Sequence, residues 1–357
     1  MGNRYLRQIV LPEVGAEGQS ALKSARVLVV GTGGLGGPCL QYLAAAGVGT
    51  LGLIDDDVVD LSNLQRQVLF STDQVGVAKV FAAKTFLEKL NPNINIITFQ
   101  VRLHSKNALE LCEDFDIIVD GTDNFQTKYL LNDVSLVLRK PLVYGSISRF
   151  EGQVAVFSGQ EGPCYRCLHP EMPKSHIGNC AQQGVFGAVP GIVGSTQALE
   201  VLKWILYKEN HREDLKPLFG KFLVADFKSM QFNTLGLSLR PGCLCTQEQR
   251  SLSKQSYGEV CLSTFERTWQ EYFQSVPRPL LVDVRSQSEC EHNHLPDSLW
   301  ETEIPRDTSL AREIYLYCNT GVRSKLRCEE FLASGYRAFS IKGGIAELIE
   351  KETLGII

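Results

Sequence analysis

The sequence predicts an α/β protein that has a mostly parallel sheet in its first domain and a smaller α/β domain behind it. Apolar runs typical of buried strands alternate with segments of helical periodicity from residue 27 to residue 138. A polar stretch without strong periodicity, residues 247–259, separates this pattern from a new one that begins at Val260. A length of 357 residues fits two domains or three.

Composition argues against several functional classes. The formal net charge is −4, so nothing in the charge favours nucleic acid or an anionic membrane as a partner. No apolar run is long enough to span a bilayer, and residues 1–10 lack the apolar core of a signal peptide. Together with eleven cysteines, an odd number, these features predict a cytoplasmic protein whose reduced thiols include metal ligands or reactive groups.

The first strand, at 27–30, runs into a glycine-rich turn and then a helix at 38–46. Glycines let the backbone approach a phosphate, and the N-terminus of the helix favours the anion. The turn fits G-x-G-x-x-G with Gly31, Gly33 and Gly36. Asp55 follows the second strand at the distance of a ribose-binding carboxylate. On this fingerprint alone, a NAD-dependent oxidoreductase is the leading hypothesis.

Basic residues beyond the second strand argue against hydride transfer. Arg66 lies in the motif SNLQRQ, and Lys79 belongs to the segment 76–79 that opens a helix. Each alone is most often a surface charge. Together behind a glycine loop they are better explained as a triphosphate clamp, because charge builds on phosphate oxygens in the transition state. Asp123 follows the strand at 116–120, where it could hold Mg²⁺ or cap the next helix, and the two roles are compatible.

The remaining elements follow from periodicity and from turn residues between them. In the first domain, helical patterns cover residues 1–24, 76–90, 106–112, 125–138 and 191–207. Further strands are predicted at residues 50–54, 94–100, 116–120, 141–146, 153–157, 222–226 and 231–235. In the second domain, a helix is predicted at 263–274 and strands at 280–284 and 314–317.

Two close cysteine pairs suit a metal site. Cys164 and Cys167 form C-x-x-C, the spacing of a tetrahedral zinc knuckle. Cys243 and Cys245 form C-x-C, whose side chains would point to opposite faces of an extended chain. This second pair therefore needs a turn, for which Gly242 is suited. The alternative is that all four are free thiols.

Two further cysteines are candidate nucleophiles. Cys180 lies in a polar, glycine-flanked stretch, where an incidental thiol is an equal alternative. Cys318 follows a buried strand and precedes a helix, so loop N–H groups, the helix dipole and Arg323 would stabilise a thiolate or a persulfide. Four residues separate the cysteine from the arginine, fewer than in cysteine phosphatases, so the cradle fits a single sulfur atom. The loop comprises Cys318, Asn319, Thr320, Gly321, Val322, Arg323 and Ser324.

Taken together, the motifs resemble those of a molybdopterin-synthase adenylyltransferase/sulfurtransferase. This is a ThiF/MoeB/HesA-type relative of ubiquitin-activating enzymes, fused to a C-terminal rhodanese domain. The motifs are RYLRQI, GTGGLGG, SNLQRQ, GTDN, RFEGQV, CYRC, VPGIVGSTQALE, CNTGVRS and IKGG, and they cover nearly the whole chain. The resemblance implies a Rossmann-like adenylation domain at residues 1–246, a linker at 247–259 and a rhodanese domain at 260–357.

The resemblance also implies the site residues. ATP and Mg²⁺ would be held by Gly33, Gly34, Gly36, Asp55, Ser62, Asn63, Leu64, Gln65, Arg66, Lys79, Asp123 and Asn124. Arg7 would reach the triphosphate bound by the other subunit of a homodimer. Structural zinc would be bound by Cys164, Cys167, Cys243 and Cys245, although the family's second pair is usually C-x-x-C. The catalytic set would be Cys318, Cys180, Arg66, Arg7 and Asp123.

The implied substrate is a small ubiquitin-like sulfur-carrier protein that ends in Gly-Gly. Its carboxylate would attack ATP to form an acyl-adenylate, and a persulfide on Cys318 would then attack the activated carbonyl. A persulfide donor such as a cysteine desulfurase would load Cys318, and Cys180 would help to release the thiocarboxylate. The pathway served is left open among molybdopterin, thiamine, tRNA thiolation, cysteine and siderophore routes. Two other classes remain: a NAD-dependent oxidoreductase, and a non-catalytic scaffold that binds a ubiquitin-like protein.

Overall fold

A computed structural model describes residues 4–160, 162–172, 184–210, 212–252, 257, 266–285, 289, 295–304, 312–333 and 336–353. The chain divides into two compact units, residues 1–257 and 258–357. Each unit is built on its own sheet with helices between parallel strands, which confirms the predicted fold class. In the part of the chain that the structure describes, every helix is too short or too polar to cross a membrane.

The first unit contains one eight-stranded sheet. Its strands are β1 (Arg26–Val30), β2 (Thr50–Ile54), β3 (Asn95–Phe99), β4 (Ile117–Asp120), β5 (Leu142–Ser148), β6 (Glu151–Phe157), β7 (Lys221–Asp226) and β8 (Gln231–Gly236). The strand order is β3-β2-β1-β4-β5-β6-β7-β8. β1 to β5 pair in parallel, and β6 to β8 add an antiparallel extension.

Helices cover both faces of this sheet. They are α1 (Leu6–Ile9), α2 (Gly15–Ser24), α3 (Gly36–Ala46), α4 (Lys79–Leu90), α5 (Ala108–Glu113), α6 (Phe125–Leu138), α7 (Tyr165–Leu168) and α8 (Ala188–Asn210). Alternate residues of β1 enter two different cores: Val27 and Val29 pack with α3, α4 and α8, whereas Leu28 and Val30 pack with α5 and α6. This two-sided burial explains why β1 is a continuous apolar run.

The second unit is a smaller sheet of five parallel strands. Its elements are β9 (Glu266–Arg267), α9 (Trp269–Gln274), β10 (Leu280–Asp283), β11 (Ser298–Trp300), β12 (Glu313–Tyr317), α10 (Val322–Ala333), β13 (Arg337–Ile341) and α11 (Gly344–Thr353). The strand order is β11-β10-β12-β13-β9, which places β12 at the centre of the sheet. The residue that follows this central strand is Cys318.

The predicted helix at 263–274 is wrong at its start. Glu266 and Arg267 form β9 and pair with β13, and residues 263–265 lie outside the described part. The helix begins only at Trp269, because a capping box at Thr268 fixes its N-terminus. The Glu271 carboxylate accepts from the Thr268 backbone N–H at 2.6 Å, and the Glu271 N–H donates to the Thr268 hydroxyl at 3.2 Å.

Candidate active site

The glycine-rich turn connects β1 to the N-terminus of α3. A Cβ atom at Gly36 would lie 1.8 Å from the carbonyl oxygen of Gly31, so a glycine is required for the chain to turn this tightly. A Cβ atom at Gly33 would lie 3.2 Å from the Gln67 side chain, and a Cβ atom at Gly34 would lie 3.3 Å from the Pro190 side chain. The turn follows β1, which lies between β2 and β4 in the sheet. The chain adds strands on one side of β1 up to β3 and on the other side from β4 onwards, and ligands of open α/β sheets bind in the crevice at such a reversal.

Asp55, directly after β2, is tied to this turn. One carboxylate oxygen accepts from the backbone N–H of Thr32 at 2.8 Å and from its hydroxyl at 2.9 Å, and the other accepts from the Asp57 N–H at 3.0 Å. Burial raises the pKa of Asp55, and Lys79 opposes that rise. Sequence reasoning missed Thr32, whose position inside the glycine fingerprint was the available signal.

Lys79 is a buried cation at the first residue of α4, only 4% exposed. Its Nζ lies 2.8 Å from a carboxylate oxygen of Asp57, whose own side chain is 68% exposed. An isolated bridge between Val58 and Ala78 brings the segment after β2 back to the start of α4 and makes this pairing possible. The structure therefore brings Lys79 to the same sheet edge as Asp55 and the glycine turn.

The SNLQRQ motif folds into a compact turn held by its own side chains. Asp60 accepts from the backbone N–H and the hydroxyl of Ser62, and these bonds lower the pKa of Asp60. Asn63 accepts from the Gln67 amide at 2.8 Å, and Arg66 donates to the Ser62 carbonyl at 3.2 Å. Only one guanidinium nitrogen of Arg66 takes part in this contact, so other donors of the group are available to a ligand.

The two middle residues of this motif play different parts. Leu64 packs against the first core. Gln65 is exposed, and its carbonyl oxygen faces Gly187, where a Cβ atom would lie only 2.2 Å away. The motif is therefore held between the core and the start of α8, with the Leu64 side chain partly buried against that core.

Two roles were considered for the residues after β4: binding of a metal ion and capping of α6. Asn124 caps α6, because its side chain accepts from the Thr127 N–H at 2.9 Å. Asp123 is exposed at the carboxyl edge of the sheet, as a ligand for a metal–phosphate complex would be.

Lys128, one turn into α6, is a second buried cation that sequence reasoning missed. Its Nζ donates to Asp120 at 2.9 Å and to the Gly145 carbonyl at 2.8 Å. Burial lowers the pKa of Lys128, but Asp120 and other negative neighbours, Asp123 among them, outweigh this effect and raise it. The signal was a lysine at a core position of an amphipathic helix. Arg7, by contrast, is exposed on α1, and Cys180 lies outside the described residues.

The four cysteines predicted as metal ligands converge. All four sulfur atoms lie within 4.8 Å of one another. The Sγ atoms of Cys164 and Cys243 are 3.6 Å apart, and those of Cys167 and Cys245 are 3.4 Å apart. Tetrahedral zinc with Zn–S bonds of about 2.3 Å requires sulfur atoms roughly 3.8 Å apart, so the cluster fits that ion.

The C-x-C pair reaches the cluster through the predicted turn. Gly242 has a φ of +72°, a left-handed conformation that favours glycine, and a 3₁₀ turn at Leu244–Thr246 follows. The two sulfur atoms therefore lie on one side of the chain. The hydrogen bond between Cys164 and Cys243 lowers the pKa of Cys243 and raises the pKa of Cys164, so Cys243 is the sulfur of this pair that ionises first.

In the second unit, Cys318 lies between the central strand β12 and helix α10. It is buried, and its carbonyl oxygen accepts from the Ile345 N–H at 2.8 Å. The next carbonyl, of Asn319, accepts from the Ala346 N–H at 2.9 Å. Two backbone N–H groups in the first turn of α11 therefore fix the position of the Cys318 loop.

The guanidinium group of Arg323, whose charge is expected to support Cys318, is paired with a carboxylate in the structure. Arg323 donates two hydrogen bonds to the Glu289 carboxylate, at 2.7 and 2.5 Å. This contact raises the pKa of Arg323 and shares its positive charge with a carboxylate. The partner comes from a distant part of the chain, so the sequence around the loop does not reveal it.

Comparison with known proteins agrees with the two units. The ThiF family model matches residues 5–245, and the rhodanese-like domain model matches residues 268–351. An "Adenylyltransferase and sulfurtransferase UBA4" from Meyerozyma guilliermondii is 36% identical over 96% of this chain and 87% of its own length. A "Sulfur carrier protein adenylyltransferase" from Thermus thermophilus is 46% identical over 72% of this chain and 96% of its own.

The chain is also similar to a third relative and to a solved structure. An "Adenylyltransferase and sulfurtransferase MOCS3" from Culex quinquefasciatus is 43% identical over 83% of this chain and 71% of its own. E. coli MccB aligns with a TM-score of 0.60 over 71% of this chain and 75% of its own, and at 23% identity this is a likeness of fold alone. The chain therefore belongs to the ThiF family, and a rhodanese-like domain follows its ThiF domain.

Proposed function

We propose that this protein adenylates the C-terminal Gly-Gly carboxylate of a ubiquitin-like sulfur carrier and then transfers sulfur to it from a persulfide on Cys318. The supporting observation is the pairing, in one chain, of a glycine turn flanked by Arg66, Lys79 and Asp123 with a cysteine buried between a strand and a helix. Two relatives that align with 83% and 96% of this chain are named "Adenylyltransferase and sulfurtransferase".

In the first step, the carrier carboxylate attacks the α-phosphate of ATP and pyrophosphate leaves. The glycine turn and the N-terminus of α3 would cradle the phosphates, and Asp55 would take the ribose. Arg66 and Lys79 would stabilise the charge that develops on the phosphate oxygens. Asp123 would hold Mg²⁺, which supplies further neutralisation when bound, and Arg7 would act on the site of the partner subunit in a homodimer.

In the second step, the terminal sulfur of the Cys318 persulfide attacks the acyl carbonyl and AMP leaves. The product is an acyl disulfide between the carrier and Cys318. A second thiol then attacks the Cys318 sulfur, which releases the carrier thiocarboxylate and leaves a disulfide on the enzyme. Cys180 is our candidate for this thiol. An external dithiol must then reduce the disulfide to free Cys318, and a cysteine desulfurase is our candidate for the donor that reloads it with persulfide sulfur.

Carrier-dependent ATP–pyrophosphate exchange tests the proposal. Each candidate Gly-Gly carrier from the source genome is added in turn, and a carrier that lacks the terminal Gly-Gly serves as the control. We expect exchange with an intact carrier and none with the truncated one. A folded, ATP-binding protein that exchanges with no carrier would favour the scaffold, and binding of NAD(H) without ATP would favour the oxidoreductase.

We further propose that the four-cysteine cluster holds structural zinc. Replacing Cys243 with serine is expected to remove the bound metal and lower the melting temperature, because three sulfurs cannot close a tetrahedral site. Metal content by elemental analysis and thermal unfolding check this. Cys39→Ser is the control, since Cys39 is buried in α3 outside the cluster. Equal zinc content in Cys243→Ser and in the parent would refute the assignment.

A further inference from the structure

The segment that sequence reasoning assigns to the linker, residues 247–259, is tied to the first unit along the part that the structure describes. Arg250 is the main anchor. Every nitrogen of its guanidinium group donates to a backbone carbonyl at 2.8–3.2 Å, and the acceptors are Gln247, Leu136, Gly159, Gln160 and Cys245. A guanidinium group stays charged, and its planar fork loses little freedom for each bond it makes, so this is a firm attachment.

Two further anchors follow Arg250. The Leu252 side chain is buried in the second core of the first unit. The Tyr257 side chain is buried in the same core, and its hydroxyl donates to Asp133 at 2.9 Å. The segment therefore contributes apolar surface to the core, which a solvated linker would not do.

The carboxylate that receives Tyr257 belongs to a buried network beside the cysteine cluster. Asp133 is fully buried in α6 and accepts two hydrogen bonds of 2.7 Å from Arg166. Arg166 lies between Cys164 and Cys167, and Arg250 bonds the carbonyl of Cys245. Buried charges with matched partners hold a fixed geometry, because separating them leaves an uncompensated charge in the core.

We propose that the segment 247–257 is anchored to the first unit through its described residues, 247–252 and Tyr257, and we call it the arm; Arg250 and Tyr257 are then positioning residues for sulfur delivery. The arm leaves only residues 258–265 as the covalent connection between Tyr257 and β9. A short connection raises the effective concentration of one tethered group at another. The inference rests on the proposed function, because its consequence is faster attack of the Cys318 persulfide on the acyl-adenylate.

The size of the effect follows from chain length. Releasing residues 247–257 more than doubles the connection to the second unit. For a tether that already spans the two sites, effective concentration falls roughly as the −3/2 power of tether length, so release is expected to slow intramolecular sulfur transfer about threefold to fourfold. Adenylation itself would be unaffected, since the residues of the arm that the structure describes contact the second core and the cysteine cluster rather than the glycine turn.

The experiment compares Arg250→Gln and Tyr257→Phe with two matched controls in the full-length protein. Arg212→Gln removes an exposed guanidinium paired with Asp214, and Tyr207→Phe removes a tyrosine hydroxyl bonded to Glu213. Hydrogen exchange by mass spectrometry on peptides within 247–257 reports release of the arm. Carrier-dependent pyrophosphate exchange, thiosulfate–cyanide sulfur transfer and single-turnover thiocarboxylate formation from preloaded Cys318 report the three activities.

We expect faster hydrogen exchange in the arm variants, about threefold to fourfold slower thiocarboxylate formation, and unchanged values for the other two activities. A flexible Gly-Ser insertion after Tyr257, as long as the arm, should slow transfer equally while the arm stays protected. Transfer at the parent rate in a released arm would overturn the proposal, and so would loss of pyrophosphate exchange, which marks a structural defect. A parent protein with a protected arm but no carrier-dependent exchange would instead refute the function on which the delivery role rests.

Discussion

Replacing Lys79 with alanine is expected to lower carrier-dependent ATP–pyrophosphate exchange by roughly a hundredfold to a thousandfold. The lysine is buried at the start of α4, and its ammonium group lies 2.8 Å from the exposed carboxylate of Asp57, at the sheet edge that carries Asp55 and the glycine turn. A cation held there before the substrate arrives needs no reorganisation when charge builds on the phosphates. Its loss should therefore lower the exchange rate at saturating ATP.

We expect the fold to tolerate this change, so a lower exchange rate would report lost catalysis rather than unfolding. Losing Lys79 leaves no buried carboxylate without a partner, because Asp57 is mostly exposed and Asp55 keeps its hydrogen bonds from Thr32 and from the Asp57 N–H. Lys84→Ala is the matched control, since Lys84 lies on the same helix and pairs with Glu88 at the surface. Parent-level exchange in Lys79→Ala would remove this lysine from the triphosphate clamp.

The elements that sequence reasoning predicts well are those whose signal is local. The buried run of β1, the glycine turn and α3 are consecutive, and their periodicity and glycine spacing suffice to predict them. The turn that closes the cysteine cluster is equally local, because Gly242 directly precedes the C-x-C pair. In each case the physical cause lies within a few residues of the feature.

The features that were missed depend on contacts between distant segments. Thr32 meets Asp55 across the sheet edge, and Arg323 meets Glu289 from beyond β10. The polar composition of 247–259 predicts a linker, but the burial of Tyr257 against Asp133 depends on a contact across more than a hundred residues. A single sequence holds no record of such pairings, because composition and period describe only neighbours along the chain.

The prediction of a helix at 263–274 missed the short strand β9 for a related reason. Glu266 and Arg267 are compatible with a helix, and the pattern around Trp269 is helical. Pairing with the edge of β13 overrides that preference, and the Thr268 cap then sets the true start of the helix. Tertiary pairing, rather than local propensity, decides elements of this length.

Replacing Cys318 with alanine is expected to abolish thiocarboxylate formation while leaving carrier-dependent pyrophosphate exchange intact. Cys318 is the only residue from 318 to 324, the loop after β12 and the first residues of α10, whose side chain contains sulfur and can carry a persulfide. Alanine is smaller and keeps the backbone bond between residue 318 and the Ile345 N–H, so the loop should persist. Thiocarboxylate on the carrier is measured by mass spectrometry after supply of a persulfide donor.

Cys328→Ala provides the matched control. Cys328 is also buried in the second unit, on α10, but it lies in the core beneath the sheet rather than in the loop. Both substitutions remove one buried sulfur, so a difference between them isolates the position of the thiol from its contribution to packing. Thiocarboxylate formation at the parent rate in Cys318→Ala, with the persulfide donor present, would mean that sulfur reaches the acyl-adenylate from another group, and the second unit would then have a role other than covalent sulfur transfer.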